Sequence, residues 1–170
     1  MNKNKQLIPK GGDDKIYTPD SLAKKIVTHY NPFGKKCLEP CKGGGAFLRA
    51  FQNLGINPDW CEIDEGKDFF QYNEKVDWII TNFPWSLHRQ CMKHSMKISD
   101  NIVTLVTLNH VLALKARLRD IRENNFYIRE VITMPTPKEF PASGFQLGAI
   151  YLNKIEGQCK FTHWEDYDIL

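Results

Sequence analysis

Three short stretches of this chain carry side chains that could do chemistry together. Pro40-Cys41-Lys42-Gly43-Gly44-Gly45 is a glycine turn set between an apolar segment and a helical one. Such a turn lets a ligand approach the main chain closely, beside a helix N-terminus. It is neither GxGxxG nor a P-loop, since no GK[ST] follows, so phosphate is not its obvious ligand. Glu62 ends the next strand-like segment. In doubly wound folds an acid at that place accepts hydrogen bonds from ribose hydroxyls; a solvated strand-end carboxylate is the plainer reading. Thr81-Asn82-Phe83-Pro84-Trp85 sets an amide, two aromatics and a rigid proline side by side. An Asn carbonyl and a neighbouring main-chain carbonyl can together accept both protons of an exocyclic amino group, while an adjacent aromatic stacks on the ring that carries it. A helix start, with Asn82 as cap, Pro84 at the first helical position and Trp85 in the core, explains these residues equally well locally.

The elements that must position these residues follow from periodicity. Thr18-Pro19-Asp20 opens a helix, with Thr18 as cap and Leu22, Ala23, Ile26, Val27 and Tyr30 on one face. Lys36–Glu39 is a short strand. The helix after the glycine turn carries Phe47, Leu48, Phe51 and Leu54 and stops at Gly55. Residues 59–63 and 76–81 are strands, the second nearly all apolar and hence central. A helix from about Trp85 to Ile98 precedes a strand from Ile102 to Leu108. A longer helix from His110 to about Glu123 has Val111, Leu114, Leu118 and Ile121 on one stripe. Two strands, about 127–134 and 146–153, close the chain. No helix separates them, so they pair antiparallel. The fold class is α/β, a mostly parallel doubly wound sheet with an antiparallel last strand. Residues 1–14 form a polar tail, and 15–170 one domain.

Composition narrows the function classes. The chain has 170 residues, 42% hydrophobic and 25% charged, an ordinary globular balance for one core. No apolar run is long enough to span a bilayer, and the start has no apolar stretch of a secretory signal. Five cysteines without a CxxC pair are expected as reduced thiols rather than disulfides or a metal site, which suits an intracellular protein. The five histidines show no metal-site spacing, so no metal is expected. A net charge of +3 permits a polyanionic partner without demanding one.

Taken in order, the motifs resemble those of the S-adenosylmethionine-dependent amino-methyltransferases, in particular γ-class-like adenine-N6 DNA methyltransferases. Ile16-Tyr17-Thr18-Pro19 resembles the motif that lines the methionine end of the cofactor. Leu38-Glu39-Pro40-Cys41-Lys42-Gly43-Gly44-Gly45-Ala46-Phe47-Leu48 is similar to the LEP-x-x-G-x-G-x-F/L cofactor loop. Asp77–Ser86 is similar to the D-x-I-x-x-N-P-P-aromatic catalytic strand. Asp68-Phe69 resembles the pair that holds the cofactor adenine, and Phe140-Pro141 the loop that supplies a second aromatic against the base. The chain departs from the pattern in having Phe83 at the usual first proline, in the closeness of Glu62 and Asp68, and in leaving no room for a target-recognition domain. The Asn-x-Pro-aromatic form is also similar to ribosomal RNA adenine dimethyltransferases.

The resemblance implies a Rossmann-like methyltransferase fold and S-adenosylmethionine held by Tyr17, Thr18, Glu39, Pro40, Gly43, Gly45, Glu62, Asp68 and Phe69. It implies that Asn82, Phe83 (through its carbonyl), Pro84 and Trp85 form the catalytic turn. Phe140 or Phe145 then stacks on the base opposite Trp85, and His110 touches substrate. Basic residues recur on the two helices, with Arg89, Lys93 and Lys97 on one and Lys115, Arg119 and Arg122 on the other. Arg89, Lys93, Lys115 and Arg119 are the candidate phosphate contacts, although Asp120 and Glu123 are interleaved and a solvated face is as good a reading. The implied partner is nucleic acid, DNA before RNA, with a second copy or a specificity subunit compatible with so short a chain. A phage origin would suit that compactness. Two other readings stay open: action on a glutamine side-chain amide, and a binding subunit without catalysis.

Overall fold

In the computed structural model, which describes residues 16–140 and 144–166, a sheet of seven strands runs through the molecule. The strands are β1 (Cys37–Glu39), β2 (Asp59–Trp60), β3 (Val76–Thr81), β4 (Ser99–Thr107), β5 (Tyr127–Thr133), β6 (Leu147–Asn153) and β7 (Lys160–His163). Their order across the sheet is β2-β1-β3-β4-β6-β5-β7. All run one way except β6, which lies antiparallel between β4 and β5. The two expected closing strands pair as anticipated. The antiparallel strand is not the last one, however, because β7 follows it and adds parallel to β5. The expected tail over residues 1–14 lies outside the described residues.

Alternation along the central strands builds a core on each face of the sheet. Ile80, Val103 and Leu105 point to the side covered by α1 (Asp20–Tyr30) and α2 (Ala46–Asn53), where Leu22, Ile26, Phe47 and Phe51 pack. Their neighbours Ile79, Ile102 and Val106 point to the other side, under α3 (His88–Ile98), α4 (Asn109–Leu112) and α5 (Lys115–Glu123), against Cys91, Met92, Met96 and Ile121. The sheet is therefore doubly wound.

Four local expectations are corrected. Helix α1 is capped by Pro19, and Thr18 makes no cap bond; its hydroxyl is used elsewhere. Helix α3 begins at His88, because Pro84-Trp85-Ser86-Leu87 forms a turn closed by Leu87 N–H on the Pro84 carbonyl. The helix expected over His110–Glu123 is broken at Ala113–Leu114, where Leu114 adopts an extended conformation. That break resets the phase. Leu114 and Leu118 face solvent rather than the core, while Asp120 and Ile121 turn inward. In place of a strand over 59–63, pairing ends at Trp60, and Ile63–Glu65 and Phe69–Gln71 are single 3-10 turns.

Candidate active site

The chemistry-bearing residues gather at the carboxyl ends of β1, β3 and β4, the edge at which open α/β sheets bind ligands. Strand β1 ends in Glu39, which is completely buried. One oxygen, Oε1, accepts from the Thr81 hydroxyl at 2.5 Å and from the Cys41 N–H at 2.9 Å. The other, Oε2, has no partner among the described residues. Burial outweighs those two bonds, and with nearby Glu62 it pushes the Glu39 carboxyl up to about 8.

Past Pro40 the chain bends through the glycine loop. Gly43 and Gly45 both have positive φ (48° and 80°). Tyr17 lies over the loop so closely that a β-carbon on Gly44 would stand 3.2 Å from its ring. Glycine is what lets main chain and aromatic approach this far. Arg49, one turn into α2, donates Nη1 to the Gly44 carbonyl at 2.8 Å and makes a forked pair with Asp20 at 3.0 and 2.6 Å. It ties the loop to the start of α1. Neither Arg49 nor Thr81 stood out in the sequence. The spacing of Arg49 from Gly45, one helical turn, was the only available sign.

Glu62 follows β2. Its Oε2 accepts from Gly43 N–H at 2.7 Å, and Oε1 from Asp64 N–H at 3.2 Å, so it caps a 3-10 turn and braces the glycine loop. Asp68 caps the next turn through Phe70 N–H at 2.9 Å. Phe69 is buried, stacked on Phe83 with centroids 6.1 Å apart. Trp60 is flanked by the ammonium groups of Lys42 and Lys67, at 4.4 and 3.3 Å from its ring centre.

At the end of β3, Asn82 donates Nδ2 to the Thr18 hydroxyl at 3.3 Å, while its Oδ1 is buried without a partner among the described residues. The bond to Thr18 holds the amide with its acceptor turned away from the α1 side. Phe83 is only 1% exposed, wedged between Phe69 and His88. Its side chain is thus core, and the turn offers a ligand only main chain at this residue. Pro84 and Trp85 are half-buried. Trp85 meets His110 edge-on at 6.0 Å and Phe140 at 6.3 Å and 46°. Phe140 is buried, packed beside Trp85 rather than facing it across an opening, so the expected two-sided stacking on a base by Trp85 and Phe140 is not the arrangement found. Phe145 is 56% exposed ahead of β6.

At the end of β4, Asn109 Oδ1 and His110 Nδ1 are again buried and unpartnered. Burial, with the Arg117 charge, lowers the His110 imidazole below its usual range. Four of the six side-chain atoms that are buried and unpartnered among the described residues therefore lie at these three strand ends. Buried polar atoms are normally satisfied, so such a concentration among the described residues marks a candidate ligand site.

The basic residues divide. The charge of Arg89 is already paired: its guanidinium is forked onto buried Asp120 at 2.5 and 3.1 Å. Arg119 lies 3.9 Å from Glu123 on α5. Lys93 and Lys115 are exposed. Among the described residues no group of three or more His, Cys, Asp or Glu is placed to hold a metal ion, and no helix is long and apolar enough to cross a membrane.

Comparison with known proteins bears on the fold. No protein-family model matches the sequence, and neither does any curated protein. Solved structures do match. A Listeria monocytogenes protein described as a class I S-adenosylmethionine-dependent methyltransferase superposes with a TM-score of 0.69 at 12% identity, over 93% of this chain and 69% of that one. A modification subunit described for a type I restriction enzyme of Vibrio vulnificus gives 0.64 at 15% identity, over 90% and 48%. A protein from Pyrococcus horikoshii described as an RNA methyltransferase gives 0.62 at 19% identity, over 86% and 91%. The chain spans about half the length of the type I modification proteins it matches. It has the Rossmann-like fold of class I methyltransferases.

Proposed function

We propose that this chain is an S-adenosylmethionine-dependent methyltransferase that methylates the N6 amino group of adenine in DNA. The observation that carries this reading is Asn82: an amide anchored through its nitrogen to Thr18, its buried oxygen unpartnered at a ligand-binding strand edge. The fold supports the cofactor class, and this chain's own atoms fit such a group. Glu39 Oε2 is a buried polar atom without a partner among the described residues, able to accept from a cationic group that draws off its proton, and the glycines under Tyr17 form a cradle that a β-carbon would crowd. Tyr17, Thr18, Glu39, Pro40, Gly43 and Gly45 would hold its amino-acid end, Glu62 its ribose, and Asp68 with Phe69 its adenine.

The cofactor supplies an activated methyl group on a sulfonium sulfur, and transfer forms an N–C bond as the C–S bond breaks, with one proton leaving the nitrogen. The protein's task is alignment. Asn82 Oδ1 and the Phe83 carbonyl accept the two amino protons, drawing the nitrogen toward tetrahedral geometry and aiming its lone pair. Trp85 stacks on the base, and Pro84 fixes the turn. A duplex substrate must surrender its base from the stack, at a cost of a few kcal/mol.

Incubating the protein with S-adenosylmethionine and unmethylated DNA or RNA, followed by nucleoside mass spectrometry, tests the reading. N6-methyladenine in DNA is expected. Its appearance in RNA alone would move the substrate to RNA, which the similarity to the Pyrococcus protein favours as the second reading. Asn82→Ala should lower transfer by about 10²–10³-fold with cofactor affinity kept. A substantially active Asn82→Ala would sink this mechanism, and no methylation with cofactor bound would favour a binding subunit.

A further inference from the structure

A notch lies on the helical side of the catalytic turn, between α3 and the α4–α5 pair. Its floor includes His88 and Met92, and its rim carries Arg89, Lys93, Arg117 and Asp120. Three cations and one carboxylate thus share it. Asp120 is forked onto Arg89 and its charge also reaches Lys93, which leaves Arg117 as the rim cation with no carboxylate of its own among the described residues.

Arg117 was not among the basic residues that the sequence singled out. Its Nη1 donates to the main-chain carbonyl of His110. His110 in turn packs its ring against Trp85, so Arg117 is fastened to the element that lines the base site. It has no carboxylate within ion-pair reach among the described residues, and burial together with repulsion from Arg89 lowers its guanidinium below the usual range. A protein normally pairs a half-buried guanidinium. At the floor, His88 is 1% exposed, with Nε2 on the Thr104 hydroxyl at 3.2 Å and Nδ1 buried without a partner. Burial pushes its imidazole down to about 3, so it adds no charge of its own. The enclosed free space is about 20 Å³, room for little more than a water. A nucleobase or a small organic ligand does not fit inside, so a ligand of these cations has to sit outside the cavity, on the guanidinium and ammonium at its edge.

We propose that this notch seats a backbone phosphate of the nucleic acid beside the target nucleotide, with Arg117 and Lys93 as its binding residues. The inference rests on the proposed action on nucleic acid and adds which residues grip the strand. A fixed phosphate next to the extruded base holds the nucleotide while its amino group is aligned on Asn82. Arg117 is bonded to the His110 carbonyl and His110 meets Trp85, so the guanidinium lies two contacts from the proposed base site, and this favours the substrate strand over an acidic protein as its occupant.

The test is binding of labelled single-stranded and duplex oligonucleotides across a salt series, alongside S-adenosylmethionine affinity and methyl-transfer kinetics. Arg117→Gln should weaken oligonucleotide binding about tenfold and reduce the slope of log affinity against log salt by about one. Lys93→Gln, at an exposed position that does not threaten folding, should reduce that slope similarly. Arg117→Lys should restore it, and cofactor affinity should not move in any variant. Unchanged affinity and slope in both glutamine variants would overturn the notch while leaving the reaction intact. Tighter binding of polyglutamate than of the oligonucleotide, lost in Arg117→Gln, would overturn it in favour of an acidic protein partner. A wild-type chain that binds oligonucleotide through Arg117 but never methylates it would overturn the proposed function and leave the notch standing.

Discussion

Two buried glutamates show how differently this chain treats its two ends. Glu130, in β5, is 6% exposed and fully satisfied. Its Oε1 takes the Thr162 hydroxyl at 2.6 Å and the Lys160 ammonium at 3.2 Å, and its Oε2 takes His29 at 2.9 Å. Burial works against its charge, but the Thr162 and His29 hydrogen bonds outweigh it and hold the carboxyl below the usual range. Glu39, in β1, is buried as deeply but half served, with one oxygen bonded, the other bare, and the carboxyl pushed up to about 8. The first carboxylate joins α1, β5 and β7 and is finished when the chain folds. The second is left incomplete at a ligand edge. Burial alone therefore does not separate structural from functional acids, whereas the account of unfilled acceptors does.

The largest expected effect is on the finished side. Glu130→Ala leaves His29, Thr162 and Lys160 without their common acceptor and should destabilise the fold by about 1.5–3 kcal/mol, read as a lower midpoint in urea. Cofactor affinity, measured well below the transition, should stay as it was. A loss of affinity without loss of stability would erase the contrast between the two glutamates.

On the unfinished side, Glu39→Gln keeps the shape but exchanges one acceptor for a donor. We expect cofactor affinity to fall by about 10–100-fold, as for a lost hydrogen bond to a charged group, measured by calorimetry. The same variant should match or exceed wild-type stability at alkaline pH, by about 1–3 kcal/mol, because an amide spares the cost of ionising a buried carboxyl.

The same carboxyl also makes stability depend on pH. A carboxyl whose folded value lies above its unfolded one binds more protons folded than unfolded between the two. For Glu39 that window runs from about 4.5 to about 8, and raising pH across it should erode the stability of the cofactor-free protein. Glu130 has the opposite sign: its contribution is present above the unfolded glutamate range and lost as acid protonates it. Melting curves across pH should show the first slope in wild type and its absence in Glu39→Gln. An identical slope in both would assign it to another group.

Much of this arrangement could be read before any coordinates. Strand, glycine turn and helix from Cys37 to Asn53, the acid after β2 and the asparagine after β3 all follow from local pattern and turn chemistry. Most of the failures share a cause, which is that they depend on partners distant in sequence; the broken helix at Leu114 is the local exception. Lys160–His163 has no alternating apolar signal, three of its four residues are exposed, and it is a strand only because β5 offers an edge. Arg89 belongs to a basic stripe until α5 brings Asp120 beneath it. Leu114 and Leu118 fit a continuous helix, and a single extended residue turns them outward. No local pattern could have shown that Phe140 would be buried against Trp85.

Phe83 occupies a position at which the methyltransferase motif usually carries proline, and the two residues stiffen a turn by different means. A proline ring is rigid by covalent constraint at every temperature. An aromatic plug between Phe69 and His88 is rigid only while the packing around it is intact. The order of the Asn82–Trp85 turn is therefore lent by the interior. Warming that loosens the α3 side of the sheet will blur the aim of Asn82 before the chain as a whole unfolds, and amide exchange at residues 82–85 will follow that of the core beneath them.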